Sequence, residues 1–201
     1  MKLSMDLIKH MERAGSWKDF RRDYDIIHDE KGNKSYANTF AGMLEISMGL
    51  DVLGEDYLII GGMAVAAYLY QVDPQAFRNW RGTDDIDLLV IDKGIAERVL
   101  KSADYEFRGV LNNKPGVIGQ LFDYAKEDNG ETTVVGLRAG VADGTGKDIT
   151  RKLLNHRAII PVHGVQVAVP QLRALVEMKR SANRAKDRED IKTIKYLTSR
   201  I

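Results

Sequence analysis

Two carboxylates are the side chains of this chain best placed to do chemistry. Asp85 and Asp87 lie two positions apart at the start of an apolar run that ends at Val90. Side chains alternate along a strand that rises about 3.3 Å per residue, so the two carboxylates share one face roughly 7 Å apart. Mg²⁺ prefers oxygen ligands and keeps substrate phosphates in its shell. The spacing therefore predicts a site for Mg²⁺ or Mn²⁺ of the kind that serves phosphoryl or nucleotidyl transfer.

A pair of glycines precedes this acidic strand. Gly61 and Gly62 follow a short apolar run, residues 57–60, and come before the Ala-, Leu- and Tyr-rich segment 63–71. A glycine turn between a strand and a helix lets phosphates approach backbone N–H groups at the helix N-terminus. Gly-Gly alone is also a common tight turn. The acidic strand downstream is what favours the phosphate interpretation.

Two basic residues have functional and structural interpretations that the sequence leaves open. Arg81 stands four residues before Asp85, where it either neutralises the site, contacts phosphate or lies on the surface. Lys179 shares a helical stripe with Leu175 and Val176. A lysine on such a stripe either extends its ammonium to solvent or reaches a buried anion such as a triphosphate.

Helical and strand patterns divide the chain into three segments. Residues 1–53 carry helical spacing at 2–13 and 35–53, with a polar loop at 29–34, and we expect a helical N-terminal extension. Residues 54–169 mix strands with a helix at 95–102, and residues 170–201 form C-terminal helices opened by Pro170. The strands of the core segment are expected at 57–60, 85–90, 116–124, 132–139, 158–162 and 165–169, the last two turning at His163-Gly164.

Composition narrows the class of protein. The 201 residues suffice for one domain with a helical extension, and 44% hydrophobic with 29% charged residues is typical of a globular protein. No cysteine is present, which excludes disulfides, thiolate zinc sites and cysteine nucleophiles. No apolar run approaches the roughly 20 residues of a membrane span, and the N-terminus lacks a signal-peptide core. We expect a cytoplasmic protein that makes no use of a membrane.

Taken together, these motifs resemble a known superfamily. The glycine pair followed by Arg81-x-Thr83-x-Asp85-Ile86-Asp87-Leu88 is similar to the DNA polymerase β-type nucleotidyltransferases. The C-terminal run Leu175-x-x-x-Lys179, Arg184-x-Lys186-Asp187-x-x-Asp190-Ile191 resembles the nucleotidyltransferase-like proteins of bacterial toxin–antitoxin and abortive-infection systems.

The resemblance implies a fold, a set of site residues and partners. The fold is α+β, a short mixed sheet flanked by helices, with N- and C-terminal helical segments. Asp85 and Asp87 are the implied catalytic and metal-binding residues. The residues implied to bind the nucleoside triphosphate are Gly61, Gly62, Arg81, Thr83 and Lys179. The implied activity is transfer of a nucleoside monophosphate to a protein or RNA acceptor, in a chain that has an antitoxin-like partner.

One departure from the family pattern concerns a third carboxylate. The family carries it on a neighbouring strand as a base or second metal ligand, but here the expected strand, residues 133–138, has Gly136 at the natural position. Three explanations are open: a weak or inactive relative, another acid (Asp123 or Asp143), or a different alignment of the strand. The alternative function is therefore a nucleotide-binding or interaction module that has lost the chemistry.

Overall fold

The computed structural model describes residues 3–111, 120–128, 130–140 and 147–200. The helices are α1 (Met5–Arg13), α2 (Trp17–Asp25) followed by a π-helical turn (Ile26–Glu30), α3 (Lys34–Val52), α4 (Gly61–Val72), α5 (Pro74–Asn79), α6 (Lys93–Ser102), α7 (Thr150–Asn155), α8 (Leu172–Ala182) and α9 (Ala185–Thr198). The strands are β1 (Tyr57–Ile60), β2 (Asp85–Val90), β3 (Glu106–Leu111), β4 (Leu121–Asp128), β5 (Glu131–Arg138), β6 (Arg157–Val162) and β7 (Val165–Pro170).

A five-stranded mixed sheet forms the centre of the molecule, with strand order β1-β2-β5-β4-β3. Strand β2 pairs parallel with β5, and the other neighbours pair antiparallel. Strands β6 and β7 form a separate hairpin. The predicted class, α+β with a short mixed sheet flanked by helices and with N- and C-terminal helical segments, is confirmed.

One face of this sheet is apolar along β2 and β5. Ile86 and Leu88 of β2 and Val135 and Leu137 of β5 are completely buried on that face. Helix α3 packs against β2, β5 and β7, which explains why most of its residues are buried rather than one stripe only. Buried residues from all three predicted segments belong to one hydrophobic cluster. The opposite face of β2 carries the half-buried Asp85 and Asp87, followed by the completely buried Leu89.

Several local predictions need correction. Helices α2, α5 and α7 and strand β3 were not predicted, and residues 29 and 30 belong to the π-helical turn rather than a loop. Pro170 ends β7, and α8 begins at Leu172. The predicted strand 116–124 begins at Leu121 within the described residues, and 116–119 lie outside them. Strand β3 lacks apolar alternation because it is an exposed edge strand.

The hairpin turn predicted at His163-Gly164 is confirmed, and it enters the core. His163 and Gly164 both have positive φ, +48° and +81°. The His163 ring lies 4.7 Å from the Tyr70 ring, and its Nε2 is 3.4 Å from Oδ2 of Asp23, which is also buried. Arg78 Nη2 lies 2.7 Å from Oδ1 of the same carboxylate. This ion cluster fixes the hairpin to α2 and α5.

The Asp23 carboxylate should make stability depend on pH. Burial acts to raise the pKa of Asp23, but the close contact with the His163 ring and the hydrogen-bonded, charged guanidinium of Arg78 outweigh it and hold the pKa below its ordinary value. Its stabilisation is therefore complete above the unfolded-state pKa and is lost as the pH falls through the folded-state pKa. We expect Asp23→Asn to lower the free energy of unfolding by about 1–3 kcal/mol at neutral pH and to flatten its acid dependence in urea titrations.

The control for this prediction is Asp25→Asn. Asp25 lies on the same helix, with its side chain 47% exposed in an (i, i+4) ion pair with Arg21, and such exposed pairs contribute little. Equal pH dependence in Asp23→Asn and the wild-type chain would contradict the assignment.

No described helix is long and apolar enough to cross a membrane.

Candidate active site

Strand β2 holds the two acidic side chains beside the start of α4. Asp85 and Asp87 are half-buried on the face opposite the core, while Ile86 between them is fully buried. Ile60, the last residue of β1, lies directly opposite Asp87. Thr83 donates a hydrogen bond from Oγ1 to Oδ1 of Asp85, 2.5 Å long. The loop before β2 thus orients the first carboxylate, and the end of β1 places the glycine turn beside the second.

The glycine pair brings backbone against these carboxylates. Gly61 has φ +69°, and a Cβ at this position would overlap the Asp87 carboxylate. A Cβ on Gly62 would come within 2.9 Å of Cβ of Thr83. Helix α4 begins at Gly61, and its N-cap residue, Ile60, makes no side-chain capping hydrogen bond. First-turn N–H groups without a side-chain cap attract anions, so the turn suits phosphate binding next to the acidic pair.

The electrostatics of the pair favour a bound cation. Burial raises the pKa of Asp87, and the neighbouring charge of Asp85 raises it further. The positive charges of Arg138, Lys179 and Arg184 partly offset this rise. A carboxylate whose ionised form is disfavoured in this way gains most from a divalent ion, and perturbed groups of this kind cluster at functional sites.

Arg138 is a site residue that the sequence reasoning missed. Its Nη2 lies 3.6 Å from Oδ1 of Asp87, and its side chain is 24% exposed. Its Nε is buried without a hydrogen-bond partner among the residues that the structure describes. The available signal was its position two residues after Gly136, which puts both on one face of β5. The position of Arg138 points to the site only once β5 is known to lie beside β2.

A buried ion network joins the C-terminal helices to the loop before β2. Asp190 is fully buried, and Nη2 of Arg81 donates to its two carboxylate oxygens at 2.7 and 2.9 Å. Nζ of Lys179 lies 2.5 Å from Oδ2 of Asp190 and 3.5 Å from Oδ1 of Asp187. The lysine is only 4% exposed, so it does not extend to solvent, and the anions it reaches within the chain are these carboxylates. Contact of Arg81 and Lys179 with a triphosphate stays a prediction.

A second ion pair, between the exposed Arg184 and the buried Asp187, lies at the start of α9. Asp187 Oδ2 accepts from the backbone N–H of Arg184 at 3.0 Å and from its Nε at 2.8 Å. The hydrogen bond to Asp187 raises the pKa of Arg184, with further contributions from the charges of Asp87 and Asp85. Arg184 is therefore a second cation near the acidic pair that sequence reasoning did not assign to the site. Its only signal was its place at the start of the C-terminal motif.

The structure shows which residues surround the position at which the family pattern would place a third carboxylate. Gly136 lies directly opposite Asp87 across the parallel pairing of β2 and β5. Asp123 of β4 lies opposite Gly136 on the other side, whereas Asp143 is outside the described residues. Within the described parts of the chain, no group of three or more His, Cys, Asp and Glu side chains is arranged to hold a metal. The donor set is two carboxylates, which suits Mg²⁺ if phosphate and water oxygens complete its shell.

Comparison with known proteins bears on the fold. Neither a protein-family model nor a curated protein matches this sequence. The crystal structure of ANT(2″)-Ia in complex with adenylyl-2″-tobramycin is 18% identical, with a TM-score of 0.50 over 75% of this chain and 83% of that chain. An antigenic nucleotidyltransferase-like protein from Paracoccidioides brasiliensis is 21% identical, with a TM-score of 0.50 over 79% of this chain and 74% of that chain. These likenesses concern the fold alone, which is of the nucleotidyltransferase type.

Proposed function

We propose that this chain is a divalent-cation-dependent nucleotidyltransferase that moves a nucleoside monophosphate from a nucleoside triphosphate to an acceptor hydroxyl. The observation that carries the proposal is the acidic pair of β2, whose Asp87 carboxylate lies against Gly61 of the glycine turn at the start of α4. Carboxylates and phosphates are adjacent only when a cation lies between them, because like charges repel. The same few residues thus supply a place for the ion and a place for the phosphates.

Each part of the site has a role in this proposal. Asp85, oriented by Thr83, and Asp87 hold the ion, and Mg²⁺ or Mn²⁺ bound there would stabilise negative charge on the phosphates. The first-turn N–H groups of α4 bind phosphate oxygens. Arg138 pairs with Asp87 in the free chain and can turn to phosphate once the ion neutralises that carboxylate. Most of the catalysis in phosphoryl transfer comes from such positioning and charge stabilisation.

Two cations of the C-terminal helices, the buried Lys179 and the exposed Arg184, act at longer range in this scheme. Lys179 and Arg184 already favour the ionised form of Asp87. Their charge would equally favour a bound triphosphate, while Asp190 and Asp187 keep the two side chains in place. In this proposal the geometry that the reaction needs is built from three separate parts of the chain: the glycine turn, β2 and α8–α9.

Metal dependence is the first test of the proposal. Calorimetry with each of the four common nucleoside triphosphates is expected to show binding in Mg²⁺ or Mn²⁺ and none after chelation, because the carboxylate pair would repel bare phosphates. Equal binding with and without the divalent ion would contradict the proposal. The acceptor is then sought with α-labelled triphosphate, offered the chain itself, bulk tRNA, tobramycin and cell lysate.

A nucleotide-binding or interaction module is the second candidate, and Gly136 is the observation that favours it. Two carboxylates hold one ion with its nucleotide, but a base for the acceptor is missing at the position opposite Asp87. Metal-dependent binding with no labelled product from any acceptor would decide for this module. The proposal of an antitoxin-like partner rests on the C-terminal motif alone. Co-purification with the product of a neighbouring gene would test it.

A further inference from the structure

We propose that Asp123 is the general base of this site and that Gly136 forms the floor of a slot in which the acceptor hydroxyl lies. The inference rests on the proposed nucleotidyl transfer and adds the acceptor side to it. The family pattern would place the base at Gly136 on β5, beside the metal-binding strand β2. Asp123 lies one strand farther away, on β4.

Register across the sheet puts the relevant residues in a single row. Asp87 lies opposite Gly136, Gly136 opposite Asp123, and Asp123 opposite Gly109. Directly opposite residues in neighbouring strands project to the same face. The carboxylates of Asp87 and Asp123 therefore project from the same face of the sheet. Gly136, which has no side chain, lies between them, and Gly109 lies beyond Asp123.

The gap between the carboxylates is narrow. A Cβ on Gly136 would lie 3.4 Å from Oδ1 of Asp87 and 3.1 Å from Cδ1 of Leu121, so these two side chains closely flank the position. A Cβ on Gly109 would meet no atom within 4 Å. Asp123 itself is half-buried and has no hydrogen-bond or ion-pair partner within the described parts of the chain. An acidic side chain thus lies across Gly136 from the proposed metal ligand, with Leu121 beside the gap.

The spacing of Asp87 and Asp123 suits a base that lies across the reacting atoms from the metal ligand. Neighbouring strands lie about 4.8 Å apart, so the Cα atoms of Asp87 and Asp123 are roughly 10 Å apart. This separation leaves room for a phosphorus atom and an attacking oxygen about 3–3.5 Å from it, with a hydrogen bond of about 2.6–3.2 Å from that oxygen to the base.

The chemical step follows directly. The acceptor oxygen forms a bond to the α-phosphorus as the bond from that phosphorus to the bridging oxygen of the β-phosphate breaks. Pyrophosphate leaves with the electron pair, and the acceptor proton passes to the Asp123 carboxylate. No oxidant or further reactant is needed, and the proton is returned to solvent from a side chain that is partly exposed.

The test compares Asp123→Asn with Glu106→Gln, a control on the same sheet face. Glu106 is exposed on β3 opposite Ala125 and makes no described hydrogen bond. With α-labelled ATP and whichever of the chain itself, bulk tRNA and tobramycin accepts label, Asp123→Asn should transfer about 10²- to 10⁴-fold more slowly. Its affinities for Mn²⁺ alone and for Mg²⁺–ATP should stay within threefold of wild type.

Gly136→Ala examines the slot separately. The added methyl group would lie 3.1 Å from Cδ1 of Leu121 and 3.4 Å from Oδ1 of Asp87, so the Leu121 side chain must shift slightly and the gap between the two carboxylates narrows further. We expect a raised KM for the acceptor with a smaller change in Mg²⁺–ATP affinity. Wild-type transfer in Asp123→Asn would overturn the assignment of the base and leave the proposed function intact. Loss of Mn²⁺ affinity in Asp123→Asn would make the residue a metal ligand and also overturn it. Absence of transfer by the wild-type chain to every acceptor would overturn both proposals.

Discussion

Asp87→Asn is expected to lose nucleotidyl transfer almost completely while the protein stays folded. A bound ion supplies several kcal/mol of transition-state stabilisation in reactions of this type, and each 1.36 kcal/mol is a factor of ten in rate. Loss of the ion should therefore slow transfer on the order of 10³-fold or more. Burial and the charge of Asp85 raise the pKa of Asp87, so its ionised form opposes folding at neutral pH. Removing the charge should leave thermal stability equal to or above that of the wild-type chain.

Asp84→Asn is the matched control for this prediction. Asp84 immediately precedes Asp85, is exposed and makes no described hydrogen bond. We expect wild-type metal affinity, transfer and stability from it. The measurements are calorimetric titration of Mn²⁺ and Mg²⁺–triphosphate together with a thermal unfolding scan. An Asp87→Asn chain that binds the metal–nucleotide complex as tightly as wild type would contradict the metal site, and one that melts well below wild type would contradict the account of its charge.

Asp190→Ala is expected to produce the largest loss of stability of the variants considered. Asp190 is fully buried and is the common acceptor for Arg81 and Lys179. Removing one partner of a buried ion pair leaves uncompensated charge and typically costs about 3–5 kcal/mol. For a chain of this size that corresponds to a fall in melting temperature of roughly 6–20 °C. The neighbouring Glu189→Ala should change stability by less than about 0.5 kcal/mol, because that side chain is 66% exposed and lies 3.9 Å from Arg81.

A double variant distinguishes the effect of unpaired charge on stability from the effect of lost packing. If the stranded ammonium of Lys179 causes much of the loss, then adding Lys179→Met to Asp190→Ala should restore part of the stability rather than lower it further. Urea unfolding of the four chains of the cycle measures the coupling energy. Additive effects, or a cost of Asp190→Ala below about 1 kcal/mol, would show that the network is not the stabilising feature described above.

The features predictable from sequence were those encoded within a few residues. The two carboxylates of β2 follow from period-two alternation, and the turn before α4 from two adjacent glycines, because both depend only on local backbone geometry. The β6–β7 hairpin was likewise predicted from the turn at His163-Gly164. Helix α2 and the edge strand β3 were not, since both are rich in charged or exposed residues and show no clear apolar period.

Contacts between residues far apart in the sequence could not be predicted from it. Arg81 and Asp190 are 109 positions apart, and nothing in the local pattern of either residue identifies the other. The row that joins Asp87, Gly136 and Asp123 depends on β5 lying between β2 and β4, a consequence of strand order rather than of composition. The burial of Asp187 and Asp190 against the charged side chains of Lys179, Arg81 and Arg184 likewise appears only in three dimensions.

The contact between Arg81 and Asp190 also bears on when the loop before β2 becomes fixed during synthesis. A ribosome makes the glycine turn and the acidic strand long before it reaches α9, and nascent chains lengthen by about 5–20 residues per second. Until Asp190 has emerged, the guanidinium of Arg81 lacks the buried carboxylate that holds it, and the ammonium of Lys179 lacks the nearer of its two carboxylates. Products of termination before α9 would carry the acidic pair without this anchor, so we expect the loop before β2 to be held less firmly in them.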